Sequence, residues 1–178
     1  SLPVKIKEDS TLLYHTSQTL TYFLQNILDF ARFINKTLTL NIESFNLKQE
    51  IPTFMELFSI KILRKKLQME CQCDDIDVQT DKHKLLGLLF IFIDNSIKYT
   101  NKGIIKLVVK KGRSPRFVRF EVHDSGTGIG EEDLLKLSEI LKNPFDDIKT
   151  SGAAGLGIGM RIAQILLIYL SSGEMMVD

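Results

Sequence analysis

Between Asp9 and Ile34, apolar residues recur at alternating intervals of three and four, with Ser17 as the one polar member of the series. This spacing is typical of a coiled-coil seam, because it keeps the apolar side chains on one stripe of a helix. Phe23 and Phe30 widen the stripe, so the helix needs a partner that covers it. We predict a stem helix in a helical hairpin or dimer, and an ordinary core helix is the alternative. The seam consists of Leu13, Ser17, Leu20, Leu24, Ile27, Ala31 and Ile34.

Short runs of alternating polar and apolar residues follow the stem helix and predict strands. They cover residues 37–42, 67–73 and 77–79, and Asp74 with Asp75 forms a turn signal between the last two runs. The run at 77–79 is therefore predicted to return beside the strand at 67–73.

Two further helices are predicted from residues that can cap their first turns. The first begins after Asn46 and reaches about residue 66, and Pro52 in its second turn should bend it. The second begins after Asp81 and covers residues 82–99. It is apolar almost all round, so we predict that it is buried.

The last third of the chain predicts a hairpin and two more helices. Alternating runs at 103–111 and 116–123 flank a Gly-Arg-Ser-Pro turn, which indicates an antiparallel pair. Helical patterns follow at 131–141 and 155–170. Helices and strands in this order predict an α+β fold, a two-layer sandwich in which helices cover a mixed, mostly antiparallel sheet.

Composition narrows the function classes. The 178 residues are 44% hydrophobic with a net charge of +1, so a real core is expected and a nucleic-acid-binding surface is not. Cys71 and Cys73 alternate on one strand face and are too close for a good disulfide, which indicates reduced thiols in the cytoplasm. The longest apolar run, Leu85–Ile93, is half of a membrane span, so no membrane contact is predicted within this stretch.

Three motifs carry the candidate chemistry, at the end of the 82–99 helix, at 124–130 and at 155–159. The amide oxygen of Asn95 is a neutral hard ligand suited to Mg²⁺. The carboxylate of Asp124 can accept the exocyclic amine of adenine and rejects the carbonyl of guanine. Glycine-rich backbone before a helix suits phosphates, because its N–H groups and the helix dipole favour negative charge. Together the motifs predict a nucleotide pocket, although each alone is a weak signal.

Each of these residues has a plainer alternative. Asn95 could be a structural amide inside the helix, and Asp124 could only cap a tight turn. Lys98 lies on the same helical face as Asn95 and could reach phosphate oxygens, or it could be a solvated lysine. Tyr99 could lie along the adenine ring or pack in the core.

Residues 10–178 resemble the second dimerisation helix and the catalytic ATP-binding domain of a sensor histidine kinase. The run 25–32 is similar to part of the second stem helix of that family, and Asp81–Leu85 is similar to the approach to its asparagine box. The resemblance implies the Bergerat-type ATP-binding fold shared with type II topoisomerases, heat-shock-90 chaperones and mismatch-repair ATPases. It divides the chain into a partial stem at 1–36 and a catalytic domain at 37–178.

The same resemblance implies phosphorelay signal transduction: a homodimer formed through the stem helix binds ATP and Mg²⁺ and transfers the γ-phosphate to a histidine outside this chain. A response-regulator receiver domain would then take the phosphate. Phe145, after an Asn-Pro pair, resembles the phenylalanine of the lid over the nucleotide, and a hydrophobic loop anchor is its alternative. Mg²⁺ would be held by Asn95. The implied ATP-binding residues are Asn95, Lys98, Tyr99, Asp124, Gly126, Gly128, Ile129, Phe145, Gly155, Leu156, Gly157 and Gly159.

The chain departs from the family pattern at two helix positions. Ile91 stands one turn before Asn95, where relatives carry a polar residue, so no catalytic base is predicted and water-driven hydrolysis is disfavoured. Transfer to histidine depends less on a base, because imidazole is itself a nucleophile. The alternative function is a pseudokinase that senses nucleotide or acts as a scaffold. Gly87, where a Gln is more usual, is the second departure.

None of the three histidines matches the phosphate-accepting motif of the resembled family. His15 lies in the stem helix without the expected acidic residue and proline after it, so a helix-surface histidine is the preferred interpretation. His83 and His123 match no acceptor pattern.

Overall fold

The computed structural model describes residues 2–114, 117–142 and 158–170. Within them the chain forms six helices and five strands, in an α+β arrangement with a mixed sheet. In chain order these are α1 (Leu2–Ile34), β1 (Glu43–Asn46), α2 (Leu47–Glu56), α3 (Ser59–Lys65), β2 (Gln68–Cys73), β3 (Asp77–Thr80), α4 (Lys82–Tyr99), β4 (Ile104–Lys111), β5 (Val118–Asp124), α5 (Glu131–Lys142) and α6 (Ile158–Leu170).

The main sheet has the order β2-β4-β5, with β2 parallel to β4 and β4 antiparallel to β5. The predicted hairpin is confirmed, and α4 is the crossover that a parallel β2-β4 pair requires. Alternate residues of β4 are fully buried under the helices, among them Ile105, Leu107 and Val109. The helices thus cover one side of this sheet.

Two strand predictions are wrong. The strand expected at 37–42 lies instead at Glu43–Asn46, because the Asn41 N–H donates to the Asp81 carboxylate at 2.8 Å and not to a strand. The run at Asp77–Thr80 pairs with β1 in a separate antiparallel sheet and does not return beside β2. The side-chain amide of Asn46 reinforces this pairing by donating to Asp77 at 2.9 Å.

The predicted cap at Asn46 is confirmed, since its side chain accepts the Gln49 N–H at 3.3 Å. The single helix predicted to residue 66 is wrong, because the chain forms α2 and α3 with a break at 57–58. Pro52 lies inside α2 and does not end it. The break follows from burial. The N–H groups of Leu57 and Phe58 donate to carbonyls three residues earlier, and the resulting turn places Phe58, with no exposed surface, in the core.

The predicted cap of α4 is also confirmed, since the Asp81 carboxylate accepts the Lys84 N–H at 3.0 Å. The helix is buried on most sides, as its composition predicts. One side packs over the sheet in the main core. Another side contacts α6 through a smaller cluster formed by Leu88, Ile91, Ile162, Ala163 and Leu166.

Both cysteines are free thiols, in agreement with the absence of a predicted disulfide. Burial raises the pKa of both, and the pKa of Cys73 reaches about 11. These thiols are therefore protonated and weakly nucleophilic near neutral pH. Across the described ranges, no helix has the length and apolarity needed to cross a bilayer.

The stem helix α1 contacts the rest of the molecule through a face other than the seam. Tyr22 stacks on Phe90 with ring centroids 5.6 Å apart. The Asn26 side-chain amide donates to the Gly87 carbonyl at 3.1 Å, and Asp29 is 1% exposed. The seven seam residues are all exposed, so α1 is not an ordinary core helix.

Gly87 is explained by this contact. A Cβ added at Gly87 would lie 2.5 Å from the Asn26 side-chain oxygen, so any larger residue displaces the stem amide. The glutamine that the family pattern favours at this position would not fit beneath α1 as it is docked.

We expect Gly87→Ala to destabilise the chain by about 1 kcal/mol, because the overpacking cost exceeds the gain in helix propensity. In an Asn26→Ala background the added methyl meets no amide, and the same substitution should become stabilising. Thermal denaturation of the four variants measures both signs. A destabilising Gly87→Ala in both backgrounds would contradict this account of the contact.

Candidate functional site

The last turns of α4 and the loop after β5 meet at the carboxylate of Asp124. The Ser96 hydroxyl donates to one oxygen of Asp124 at 2.8 Å, and the Gly126 N–H donates to the other at 2.9 Å. Asp124 itself is exposed. The Asp124 carboxylate is therefore oriented by two donors and open to solvent, and it lies beside Ser96, the residue that follows Asn95 in α4.

The loop at 125–130 passes close to the end of α4 because it contains glycine. A Cβ at Gly126 would lie 2.8 Å from the Asp124 carboxylate and 3.0 Å from the Tyr99 carbonyl oxygen. Gly128 has a φ of +72°, which residues with a side chain rarely adopt. Gly126 thus keeps a side chain out of the space beside Asp124, and Gly128 allows the loop to adopt its backbone conformation.

The other predicted residues of α4 lie in its last turns. Asn95 is half-buried, and its amide has no hydrogen-bonding partner among the residues that the structure describes. Lys98 is exposed, with its ammonium 4.8 Å from the centre of the Tyr99 ring. Tyr99 is 47% exposed and Ile129 is 45% exposed, so Tyr99 is not a core residue and both are open to a ligand.

Ile91 is buried, at 7% exposure, in the contact between α4 and α6. A Cβ at Gly159 would lie 3.5 Å from an Ile91 methyl group, so the first turn of α6 packs against α4 one turn before Asn95. The apolar residue at position 91 thus has a packing role. Gly159 is the one glycine of its motif among the described residues, while Phe145, Gly155, Leu156 and Gly157 lie outside them.

The three histidines contact other side chains. His15 lies 3.4 Å from the Ser59 hydroxyl, and the His83 ring stacks on Tyr22. His123 lies 3.2 Å from the Glu121 carboxylate, and this hydrogen bond is the largest cause of the lowered pKa of Glu121.

Two residues of the site carried no role in the sequence interpretation. Ser96 is buried and holds Asp124. Thr100 is fully buried, and its hydroxyl, which has no hydrogen-bonding partner among the described residues, would lie 3.1 Å from a Cβ at Gly126. The hydroxyls of Ser96 and Thr100, at the end of a mostly apolar helix, are the sequence signal for a role in the site. The sequence does not show which groups these hydroxyls contact.

The donor set fits an adenine nucleotide with magnesium. Each Asp124 oxygen accepts one hydrogen bond and keeps further acceptor capacity for an amine. The Asn95 amide is available as a neutral oxygen ligand. Within the described ranges no group of three or more His, Cys, Asp or Glu side chains could hold a metal, so a metal here would also need oxygen ligands from phosphate and water.

Residues 80–177 match the family described as "Histidine kinase-, DNA gyrase B-, and HSP90-like ATPase". Over 173 residues, 93% of this chain, the sequence is 30% identical to hybrid signal transduction histidine kinase C of Dictyostelium discoideum. The chain spans only 14% of that relative's length.

Two solved structures share the fold. The histidine kinase AdeS of Acinetobacter baumannii superposes with a TM-score of 0.62 at 22% identity, covering 88% of this chain and 70% of that one. Histidine kinase ThkA, solved in complex with the response regulator protein TrrA, gives a TM-score of 0.52 at 24% identity, covering 74% and 38%. The family match and the Dictyostelium relative support the kinase interpretation and do not favour the pseudokinase alternative over it, while the two solved structures support the fold.

Proposed function

The chain belongs to the histidine kinase-, DNA gyrase B- and HSP90-like ATPase family, and from that membership we propose that it is the ATP-binding catalytic domain of a sensor histidine kinase. It would transfer the γ-phosphate of ATP to a histidine outside this chain. The observation that carries the proposal is the Asp124 carboxylate, which accepts hydrogen bonds from Ser96 and Gly126. Ser96 directly follows Asn95 in α4, so the carboxylate lies near the helix turn that carries the Asn95 amide.

Different residues of the site are assigned to the base, the metal and the phosphates of the nucleotide. Asp124 accepts the adenine amine, and Tyr99 with Ile129 contacts the base. Asn95 offers its amide oxygen to Mg²⁺, which when bound neutralises charge on the phosphates. The phosphates are assigned to Lys98 and to the glycine-rich segment with Gly155, Leu156, Gly157 and Gly159, and Phe145 is assigned to the lid over the nucleotide. These roles rest on side-chain chemistry and on the family.

Transfer would proceed by in-line attack of an imidazole nitrogen on the γ-phosphorus. The bond from that phosphorus to the β,γ-bridging oxygen breaks, and ADP leaves. Because the neutral imidazole brings its own lone pair, no side chain needs to remove a proton before attack. The buried Ile91 is compatible with this reaction, whereas activation of water at that position would need a polar group.

We also propose that residues 1–36 are part of a dimerisation stem and that residues 37–178 form the catalytic domain. The support is the pattern of exposure along α1. Tyr22, Asn26 and Asp29 are buried against the domain, while all seven residues of the seam are exposed. An exposed apolar stripe of this kind fits helix pairing in a homodimer.

The partner proposed for the phosphate is the receiver domain of a response regulator, as the ThkA complex with TrrA supports for a protein of the same fold. We place the chain in the cytoplasm, where ATP is available and where free cysteines such as Cys71 and Cys73 stay reduced.

The proposal is tested by phosphate transfer in the full-length protein. After incubation with γ-labelled ATP and Mg²⁺, we expect acid-labile, base-stable label on a histidine, and Asp124→Asn should suppress it. Nucleotide binding without labelled histidine would favour the pseudokinase alternative. Steady release of phosphate without labelled protein would instead indicate hydrolysis.

Asn95→Ala is expected to weaken ATP binding about tenfold in the presence of Mg²⁺ and much less in its absence, because the lost amide acts through the metal. ATP titrations with Mg²⁺ and with a chelator measure the two losses. Asn101→Ala, at an exposed asparagine just beyond the helix, is the matched control. Equal losses under both conditions would exclude the ligand role.

A further inference from the structure

Ser96 has a geometry that ordinary helical serines lack. Serine hydroxyls inside helices commonly donate to the carbonyl one turn back along the same helix. The Ser96 hydroxyl instead donates across to the Asp124 carboxylate on the neighbouring strand, at 2.8 Å. Ser96 is 7% exposed, so the donor side of this hydrogen bond is shielded from water. Its backbone is fixed too, since its carbonyl accepts the Thr100 N–H at 3.0 Å.

The second donor to Asp124 comes from a different element. The Gly126 N–H donates to the other carboxylate oxygen at 2.9 Å, so the helix and the loop each hold one oxygen. Two donors on opposite oxygens fix the rotation of the carboxyl group about its last side-chain bond. With the Gly126 donor alone, the group could turn about that single anchor.

We propose that Ser96 is a positioning residue for base selection, which orients Asp124 so that a purine with an amine at C6 is accepted and one with a carbonyl there is rejected. This inference rests on the proposed nucleotide-binding function. An oriented, acceptor-only carboxylate repels a carbonyl oxygen at C6. A carboxylate free to rotate, or to admit a bridging water, gives up part of that discrimination.

The test compares three triphosphates that differ at C6: ATP with an amine, inosine triphosphate with a carbonyl and a proton on N1, and purine riboside triphosphate with hydrogen. We expect Ser96→Ala to weaken ATP about fivefold, the scale of one hydrogen bond, and to leave purine riboside triphosphate within twofold. The preference for ATP over inosine triphosphate should fall accordingly. Ser96→Thr keeps the hydroxyl and should restore the preference.

Ser138→Ala is the matched control, because the Ser138 hydroxyl donates to the Leu135 carbonyl of its own helix at 2.7 Å. Equal weakening of all three triphosphates by Ser96→Ala would indicate a merely structural role and overturn the inference. So would an unchanged preference in Ser96→Ala when Asp124→Asn does change it. If the parent chain binds no ATP, or Asp124→Asn leaves the preference unchanged, the proposed function itself fails.

Discussion

Lys84→Met is expected to lower the free energy of unfolding by about 3 kcal/mol, because it leaves the buried Asp81 carboxylate without its cation. The Lys84 ammonium lies 3.0 Å from Asp81 and 3.9 Å from Asp29, and all three side chains are less than a tenth exposed. One oxygen of Asp29 already lacks a hydrogen-bond partner in the part of the chain that the structure describes. Chemical denaturation with urea measures the loss, and methionine keeps most of the side-chain volume.

Lys82→Met is the control for Lys84→Met. Lys82 pairs with Glu50 at 2.8 Å, but both side chains are about one-third exposed, so we expect a loss below about 1 kcal/mol. Adding Asp81→Asn to Lys84→Met should recover part of the stability, because the carboxylate that lost its cation is then neutral and asparagine can still cap α4. Similar losses of stability for the two lysine variants would show that the ion pairs of the cluster formed by Asp29, Asp81 and Lys84 contribute no more than a partly exposed ion pair does.

The same cluster predicts a limit to acid stability. Burial alone would raise the pKa of Asp81, but hydrogen bonds from the Asn41 and Lys84 N–H groups and from the Lys84 ammonium outweigh it and lower the pKa below 3.8. A carboxyl with a lowered folded-state pKa stabilises the fold above its unfolded-state pKa. This contribution is lost as the pH falls below 3.8 and through the folded-state value.

Asp124→Asn is expected to weaken ATP binding at least tenfold, about 1.4 kcal/mol or more, because the amine of adenine loses a charged acceptor. The loop should survive the change. The amide oxygen of asparagine can still accept the Gly126 N–H, and its amide nitrogen can donate to the Ser96 hydroxyl. Calorimetric titration of ATP measures the loss, with thermal denaturation as the check on folding.

The discriminating comparison for Asp124→Asn is again purine riboside triphosphate, which has no amine to lose. Its affinity should change less than twofold. Unchanged ATP affinity would remove Asp124 from the nucleotide site, whereas equal loss of both ligands would indicate a distorted loop.

Local pattern predicts the elements whose ends and faces the sequence itself determines. The stem helix, α4 with its Asp81 cap, and the β4-β5 hairpin follow from periodicity and turn residues. The approach of Asp124 to the end of α4 follows less directly: the two motifs are far apart in sequence, and their common chemistry was the reason to bring them together.

What the sequence could not predict depends on partners distant along the chain. The pairing of β3 with β1 is reinforced by Asn46 reaching Asp77, 31 residues later. The helix break at 57–58, within a helix predicted to continue to residue 66, follows from the burial of Phe58 beside Phe90. Gly87 is small because of Asn26, 61 residues earlier. In each case a tertiary contact outweighs the local signal.

Helix α4 mechanically joins two regions of the molecule. Helix α1 contacts it at Gly87 through the Asn26 amide. Asn95 lies eight residues further along the same helix, a distance of about 12 Å. Because both positions lie in one continuous helix, a displacement of α4 at Gly87 would also change the position of Asn95 and Ser96. By thermodynamic linkage, an orientation of α1 that strengthens ligand binding near Asn95 is itself favoured when that ligand binds.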